Sequence, residues 1–242
     1  MVNQDSRKAR STTDPKTLLV AFAHPDDEMG CAGTIAAHRA RGDRVVLLWL
    51  TRGEMTQAFP DLPPDEVAAL RVEHGLGAAE ILGAEARFLT LPDTQLVATP
   101  DAARDVARVI ADVRPDGVIT WGDAWARGMR HPDHQAAGKI VRDAVTLARL
   151  GRVVEPAEPH RAAVPVFTLR GRHSTLPATV VDVTPHLDAV FALQRFYLER
   201  VGWPEERWVR ERLRAAGEPH GLDAAERFDA WETDGGVGSA LF

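Results

Sequence analysis

The sequence predicts an α/β fold: a single-domain, Rossmann-like three-layer sandwich with a mostly parallel sheet and a helical C-terminal region. Three observations carry that expectation. Short apolar runs alternate with amphipathic stretches along most of the 242 residues, the rhythm of right-handed strand–helix–strand units in a parallel sheet. The apolar runs are continuous rather than alternating in polarity, as strands covered on both faces require. No linker, repeat or low-complexity block divides the body, so one domain is expected over residues 16–242 behind a polar, flexible tail of residues 1–15.

Each element has its own local reason. Thr17–Ala23 is an apolar run suited to a buried strand, and Gly30–Arg41 is helical, closed by Gly42 just past its end. Val45–Leu50 is a second buried strand. Pro64–Leu82 has helical spacing and stops at Gly83. Arg87–Leu91 is the third strand, followed by a helix over Pro100–Val113 with proline in its first turn. Gly117–Trp121 and Asp133–Leu150 repeat the pair. Val164–Leu169 and Thr179–Val183 complete the strands, and after Thr184 the chain turns helical, over Asp188–Arg200 and Pro204–Ala215.

Composition removes several function classes. Hydrophobic residues make up 45% and charged residues 26%, ordinary for a globular protein. No apolar run approaches the ~18 residues of a membrane span. The first residues are polar, without a secretory segment. Cys31 is the single cysteine, so no intrachain disulfide forms, and a cytoplasmic location is the default expectation. The net charge is −6. Over residues 1–16, Arg7, Lys8, Arg10 and Lys16 outnumber Asp5 and Asp14, leaving the rest of the chain near −8. An acidic body argues against nucleic acid, whose phosphates demand a basic face.

A Rossmann-like pattern raises the question of a dinucleotide. The turn after the first strand is His24-Pro25-Asp26-Asp27-Glu28 rather than a glycine-rich loop, and three carboxylates there would repel a pyrophosphate. The same turn is a metal-site candidate. Pro25 biases His24 toward an extended conformation at the strand end, and one tight turn later Asp27 can return to the same side, so imidazole and carboxylate can meet one ion. Asp26, oriented differently, can approach a water on that ion. His131-Pro132-Asp133-His134 repeats the pattern at the opening of another helix; one of its imidazoles can complete the ligand set, leaving the other free in the pocket. Two histidines, an aspartate and an open position describe a catalytic zinc site, where bound water acquires a pKa of about 7. Either segment alone could be an acidic helix cap or a pair of surface histidines. Both lie at the carboxyl ends of predicted strands, where open α/β sheets gather their active sites.

Ala23-His24-Pro25-Asp26-Asp27-Glu28 together with His131-Pro132-Asp133-His134 resembles the LmbE-like (PIG-L) family of zinc-dependent N-deacetylases. Gly33-Thr34-Ile35, Leu50-Thr51-Arg52-Gly53-Glu54, Arg71 and Glu73, Val181-Asp182-Val183-Thr184 and Ala225-Glu226-Arg227-Phe228 agree, so the match spans roughly Lys16 to Trp231. The resemblance implies that His24, Asp27 and His134 ligate zinc, with Fe2+ or Co2+ compatible with the same donors. It implies that Asp26 is the general base. His131 would face the substrate carbonyl, Asp133 would orient an imidazole, and Arg71 and Asp93 would grip the sugar. The implied reaction removes an N-acetyl group from an N-acetylglucosamine-type sugar or glycoconjugate. Phe196-Tyr197-Leu198-Glu199 departs from the family pattern, as do Arg127 and Arg130 beside Trp125.

Other residues have modest roles at this level. Glu28 is read as a helix cap and Cys31 as a small buried residue. His38, His74, His160, His186 and His220 are read as solvated or locally hydrogen-bonded, His173 as a weaker pocket candidate, and Trp121 and Trp125 as stacking groups beside the site. Trp203, Trp208 and Trp231 are read as packing or subunit-contact groups, compatible with a homo-oligomer. The rival functions are an amidase of larger thiol or sugar conjugates, a two-metal phosphoesterase, which needs bridging ligands this set does not supply, and a metal-stabilised binding module with a closed site.

Overall fold

The computed structural model describes residues 14–122, 131–171 and 173–242. Strand β1 (Thr17–Phe22) leads through a 3₁₀ turn (Asp27–Gly30) into α1 (Ala32–Ala40). There follow β2 (Arg44–Trp49), α2 (Pro64–Leu82), β3 (Glu85–Phe88), α3 (Pro100–Val113), β4 (Gly117–Thr120), α4 (Pro132–Leu147) and the single turn α5 (Gly151–Val154). The last third holds β5 (Val166–Leu169), β6 (Ala178–Asp182), α6 (Leu187–Val201), α7 (Glu206–Gly217), β7 (Ala225–Ala230) and β8 (Gly236–Gly238).

Among the described residues the strands form one 8-stranded sheet in the order β3-β2-β1-β4-β5-β7-β6-β8. The pairings β3-β2, β2-β1, β1-β4, β4-β5 and β6-β8 are parallel, while β7 runs antiparallel to both β5 and β6. Alternate residues of β1 and β2 face opposite layers. Leu18, Val20, Phe22, Val45, Leu47 and Trp49 pack against α1, α2 and α6. Leu19, Ala21, Val46 and Leu48 pack against α3 and α4. This is an α/β sandwich of three layers in a single domain. Among the described residues no helix is long and apolar enough to cross a membrane.

The order places the site. From β1 the chain moves outward to β2 and β3 on one side, then returns to lay β4 on the other. The connections on the two sides of β1 therefore diverge and open a crevice beyond its carboxyl end. The helix entered after β4 must come close to the sheet, and Gly138 permits it. A Cβ on Gly138 would strike the backbone carbonyl of Trp121, whose carbon would lie 2.9 Å away. Gly138 is one helical turn beyond His134 on the same face of α4. Gly138→Ala is expected to cost about 1–3 kcal/mol by overpacking, read as a lower midpoint in thermal denaturation.

Several expectations need correction. The C-terminal region is not helical throughout: Ala225–Ala230 is a strand inserted between β5 and β6. Its charged residues obscured it, yet Glu226 and Asp229 are buried with partners. The Glu226 carboxylate accepts the N–H groups of Gly33 (3.0 Å) and Thr34 (2.8 Å) at the start of α1, and Asp229 accepts from Arg170. The third strand forms at Glu85–Phe88 rather than 87–91, although Leu89 and Leu91 still donate to the carbonyls of Trp49 and Leu50. Helix α4 stops at Leu147, three residues early. Of the histidines expected to be solvated or locally hydrogen-bonded, His38, His74 and His160 are buried; His38 makes the local bond, to Asp43 at 2.7 Å, while His160 reaches the distant Pro115 carbonyl at 2.8 Å.

Candidate metal centre

At the end of β1 the chain reverses over His24-Pro25-Asp26-Asp27. Asp26 sits at φ 113°, a left-handed conformation costly for a non-glycine residue. The Asp27 carboxylate folds back so that its Oδ2 accepts the N–H groups of Ala23 (3.1 Å) and His24 (3.0 Å) and the indole N–H of Trp121 (3.0 Å). Across the crevice His131 caps α4, its Nδ1 accepting the Asp133 N–H at 3.3 Å. Asp133 is fully buried and accepts from the N–H groups of Thr94 (2.7 Å) and Leu96 (3.2 Å).

These turns bring the two histidine motifs together. The Nε2 of His134 lies 3.0 Å from Asp27 Oδ1, and the Nδ1 of His24 lies 3.7 Å from Asp27 Oδ2. Rings of His24 and His134 are 5.3 Å apart, and those of His131 and His134 4.7 Å. Trp121 stacks on His134 at 4.0 Å and 11°, fixing its plane. Donor atoms of His24, His131 and His134 fall within 4.8 Å of one another, as do those of His24, Asp93 and Asp133.

The two donor sets share His24 but use it differently. Its Nε2 faces Asp93 Oδ1 (3.0 Å) and Asp133 Oδ2 (3.3 Å), whose remaining capacity goes to backbone N–H groups of Met55, Thr94 and Leu96. These carboxylates are committed as orienting partners for an imidazole. The opposite nitrogen, Nδ1, lies on the side of Asp27, whose other oxygen faces His134 Nε2. His24 Nδ1, Asp27 and His134 Nε2 are thus candidate donors, and a two-histidine, one-carboxylate set could hold a divalent ion.

The electrostatics agree with a site built around positive charge. Burial alone would lower the His24 pKa, but its bonds to Asp133 and Asp93 and the charge of Asp27 push it up to about 10. Asp27 would be raised by burial, yet His134 and His24 hold it well below the usual carboxylate range. Asp93 likewise falls to about 2, chiefly through His24 overcoming its burial. Burial raises Asp26 despite the neighbouring Arg71 guanidinium. His131 is lowered by burial and by the two nearby imidazoles, which favours its neutral form.

The remaining site residues fall into place around this centre. Asp26 lines the same cavity as these residues, and its Oδ2 accepts from Arg71 at 2.6 Å. Arg71, expected to grip a sugar, is only 2% exposed and also donates to the Pro25 carbonyl. Arg71 and Asp93 both line the cavity, but each makes contacts within the site. Trp125, Arg127 and Arg130 lie outside the described residues. His173 is exposed.

Glu28 accepts the N–H of Asp26 at the start of its 3₁₀ turn, as a cap does, but its role is wider. It is a buried hub, its carboxylate accepting from Tyr197 Oη (2.6 Å), Trp49 Nε1 (3.0 Å) and the Asp26 N–H (3.0 Å). The signal was Tyr197, the single tyrosine of the chain, in the segment that departs from the family pattern. Burial pushes Glu28 from the ordinary 4.5 to about 7. The folded state thus favours protonated Glu28, and the stability this gives is complete below pH 4.5 and lost as pH rises through about 7. Glu28→Gln removes that loss. Its melting temperature relative to the unsubstituted protein should climb across that window, by the equivalent of roughly 1–3 kcal/mol; a flat difference would contradict the placement.

The centre opens into a cavity of about 800 Å³. His24, Asp26, Asp27, His131 and His134 line it, and so do Trp203 and Trp208, expected to serve packing or subunit contact.

The family model described as PIG-L, GlcNAc-PI de-N-acetylase, matches residues 19–145. Diacetylchitobiose deacetylase of Thermococcus kodakarensis is 30% identical over 202 residues, covering 81% of this chain and 73% of the relative. The 1D-myo-inositol 2-acetamido-2-deoxy-alpha-D-glucopyranoside deacetylase of Kineococcus radiotolerans is 27% identical, covering 88% of this chain and 81% of the relative. The fold is shared with the solved N,N'-diacetylchitobiose deacetylase of Pyrococcus horikoshii, with a TM-score of 0.79 and 24% identity over 90% of this chain and 84% of that one. The matched segment contains the β1 turn with His24, Asp26 and Asp27 and the opening of α4 with His131 and His134, so the chain belongs to the PIG-L, or GlcNAc-PI de-N-acetylase, family.

Proposed function

We propose that this chain is a metal-dependent N-deacetylase, a hydrolase that removes the acetyl group from an N-acetylglucosamine-type sugar or glycoconjugate. One observation carries the reading: His24, Asp27 and His134 meet Asp26 and His131 in the lining of one accessible cavity. The relatives support the substrate class, since two of them are named for N-acetylated glucosamine compounds.

In this reading His24, Asp27 and His134 hold one zinc ion, and Fe2+ or Co2+ suits the same donors. When bound, a divalent cation polarises the amide carbonyl and makes water acidic enough to attack near neutral pH. Asp26, one oxygen held by Arg71, takes the proton of the attacking water on its other oxygen. His131 accepts the Asp133 N–H at Nδ1, so its neutral form carries the proton on Nε2 and can donate to the oxygen that gains charge. Asp93 and Asp133 keep His24 in orientation through Nε2. The C–N bond then breaks, and the proton held by Asp26 passes to nitrogen. Water has added across the amide, giving acetate and a primary amine.

The test is acetate release by purified protein loaded in turn with zinc, iron(II) and cobalt(II). The substrates are N-acetylglucosamine, N,N'-diacetylchitobiose and larger acetylated conjugates. Release from the sugars supports the reading. A kcat/KM ratio strongly favouring conjugates would redirect it to the broader amidase. Metal bound tightly without turnover of any substrate would favour the binding module, and two ions per chain the phosphoesterase.

A further inference from the structure

Part of the cavity lining has a chemistry that the reaction at the metal centre does not use. Trp203 and Trp208 are 50% and 47% exposed, yet their rings line the cavity, 5.4 Å apart and inclined at 48°. Ala215 and Ala216 of α7 extend this surface, and Met29 and Leu169 also line the cavity. Arg212 ties α7 to the metal-bearing turn, donating to the carbonyls of Gly30 (3.1 Å) and Met29 (3.0 Å) while its guanidinium carbon sits 5.6 Å from the centre of the Trp208 ring. The aromatic wall is thus anchored to the backbone that follows the metal ligands.

What such a wall can recognise depends on which polar groups remain for a ligand. Glu226 spends both oxygens on the N–H groups of Gly33 and Thr34. Arg212 gives its two terminal nitrogens to carbonyls, and its remaining Nε is buried. Arg170 donates to Asp229 and to the carbonyls of Leu176 and Ser174. Arg227 lies in the field of Asp229. A second sugar unit would bring hydroxyls that need fresh partners, and most polar groups beside this wall are already engaged. Among the described lining residues, ring faces and methyl groups make up most of what is left.

We propose that this wall is a subsite for an apolar substituent, aryl or alkyl, carried by the N-acylated sugar; the inference rests on the deacetylase reading and names its substrate class. Trp203 and Trp208 are then specificity-determining residues. The apolar group can be attached to the sugar as an aglycone or to the amide as a longer acyl chain, and the substrates below separate these sources.

The experiment compares kcat/KM of the zinc-loaded protein on octyl N-acetylglucosaminide, N-octanoylglucosamine and N-acetylglucosamine. The unsubstituted protein is set beside Trp208→Ala and the more conservative Trp203→Leu, each checked for folding by circular dichroism. An octyl-bearing substrate should exceed N-acetylglucosamine by about tenfold or more, and that preference should collapse in the variants. Preference for the glycoside assigns the wall to the aglycone, and preference for the octanoyl amide assigns it to the acyl chain. Equal kcat/KM on all substrates, or a preference that survives both substitutions, overturns the proposal. If no substrate releases its acyl group, the deacetylase reading fails by itself. The subsite is then judged by titrating octyl glucoside and following tryptophan fluorescence. A saturable change that Trp208→Ala abolishes supports it, and an unchanged spectrum overturns it.

Discussion

Asp26→Ala is expected to retain its metal and to lose about 10²- to 10⁴-fold in kcat, the range general-base catalysis contributes. The separation of metal content from turnover follows from the turn. Asp27 folds inward onto the N–H groups of Ala23 and His24 and faces His134. Asp26, at φ 113°, sends its carboxylate to Arg71 instead. Removing that carboxylate leaves the three ligands with their own partners. It also strips a buried guanidinium of its counter-charge, so some loss of stability accompanies the alanine. Asp26→Asn is the cleaner companion, because its amide oxygen still accepts from Arg71 while the group no longer takes a proton. Metal analysis beside steady-state kinetics checks both. Full deacetylation by either variant would assign the base elsewhere.

His134→Ala is expected to lose the metal and the activity together, from about one ion per chain to nearly none. The residue closes the ligand set from a different part of the chain than His24 and Asp27, its Nε2 lying 3.0 Å from Asp27. Asp133, its neighbour, is fully buried and occupied by the N–H groups of Thr94 and Leu96. The same substitution leaves Asp27 with one imidazole fewer to balance it and removes the ring that Trp121 covers. Metal content after dialysis gives the measurement. Unchanged stoichiometry would move the ligand assignment to the other donor set around His24.

What the sequence revealed and what it hid divide along physical lines. Helices with strong end signals were read to the residue: α2 runs from Pro64 to Leu82 before Gly83, and α3 from Pro100 to Val113. The buried parallel strands were legible because both faces are covered and their apolar runs are continuous. Strand β7 was not, since Glu226, Arg227 and Asp229 break its apolar pattern, and the partners of the two carboxylates, Gly33 and Thr34 of α1 and Arg170 just after β5, are distant in the chain. At the site, the HPDD and HPDH motifs advertise their chemistry locally. The buried bond from Tyr197 to Glu28 joins residues 169 positions apart, and the tryptophan wall depends on how α7 docks beside Met29 and Gly30. Neither relation has a local signature.

A crystal structure of the zinc-loaded protein, with anomalous scattering recorded at the zinc edge, is the sharpest single measurement. The proposed centre requires one strong peak within coordination distance of His24 Nδ1, Asp27 and His134 Nε2, open toward the cavity and adjacent to Asp26. A peak bound instead at His24 Nε2 between Asp93 and Asp133, or no ordered ion anywhere near His24, would contradict it.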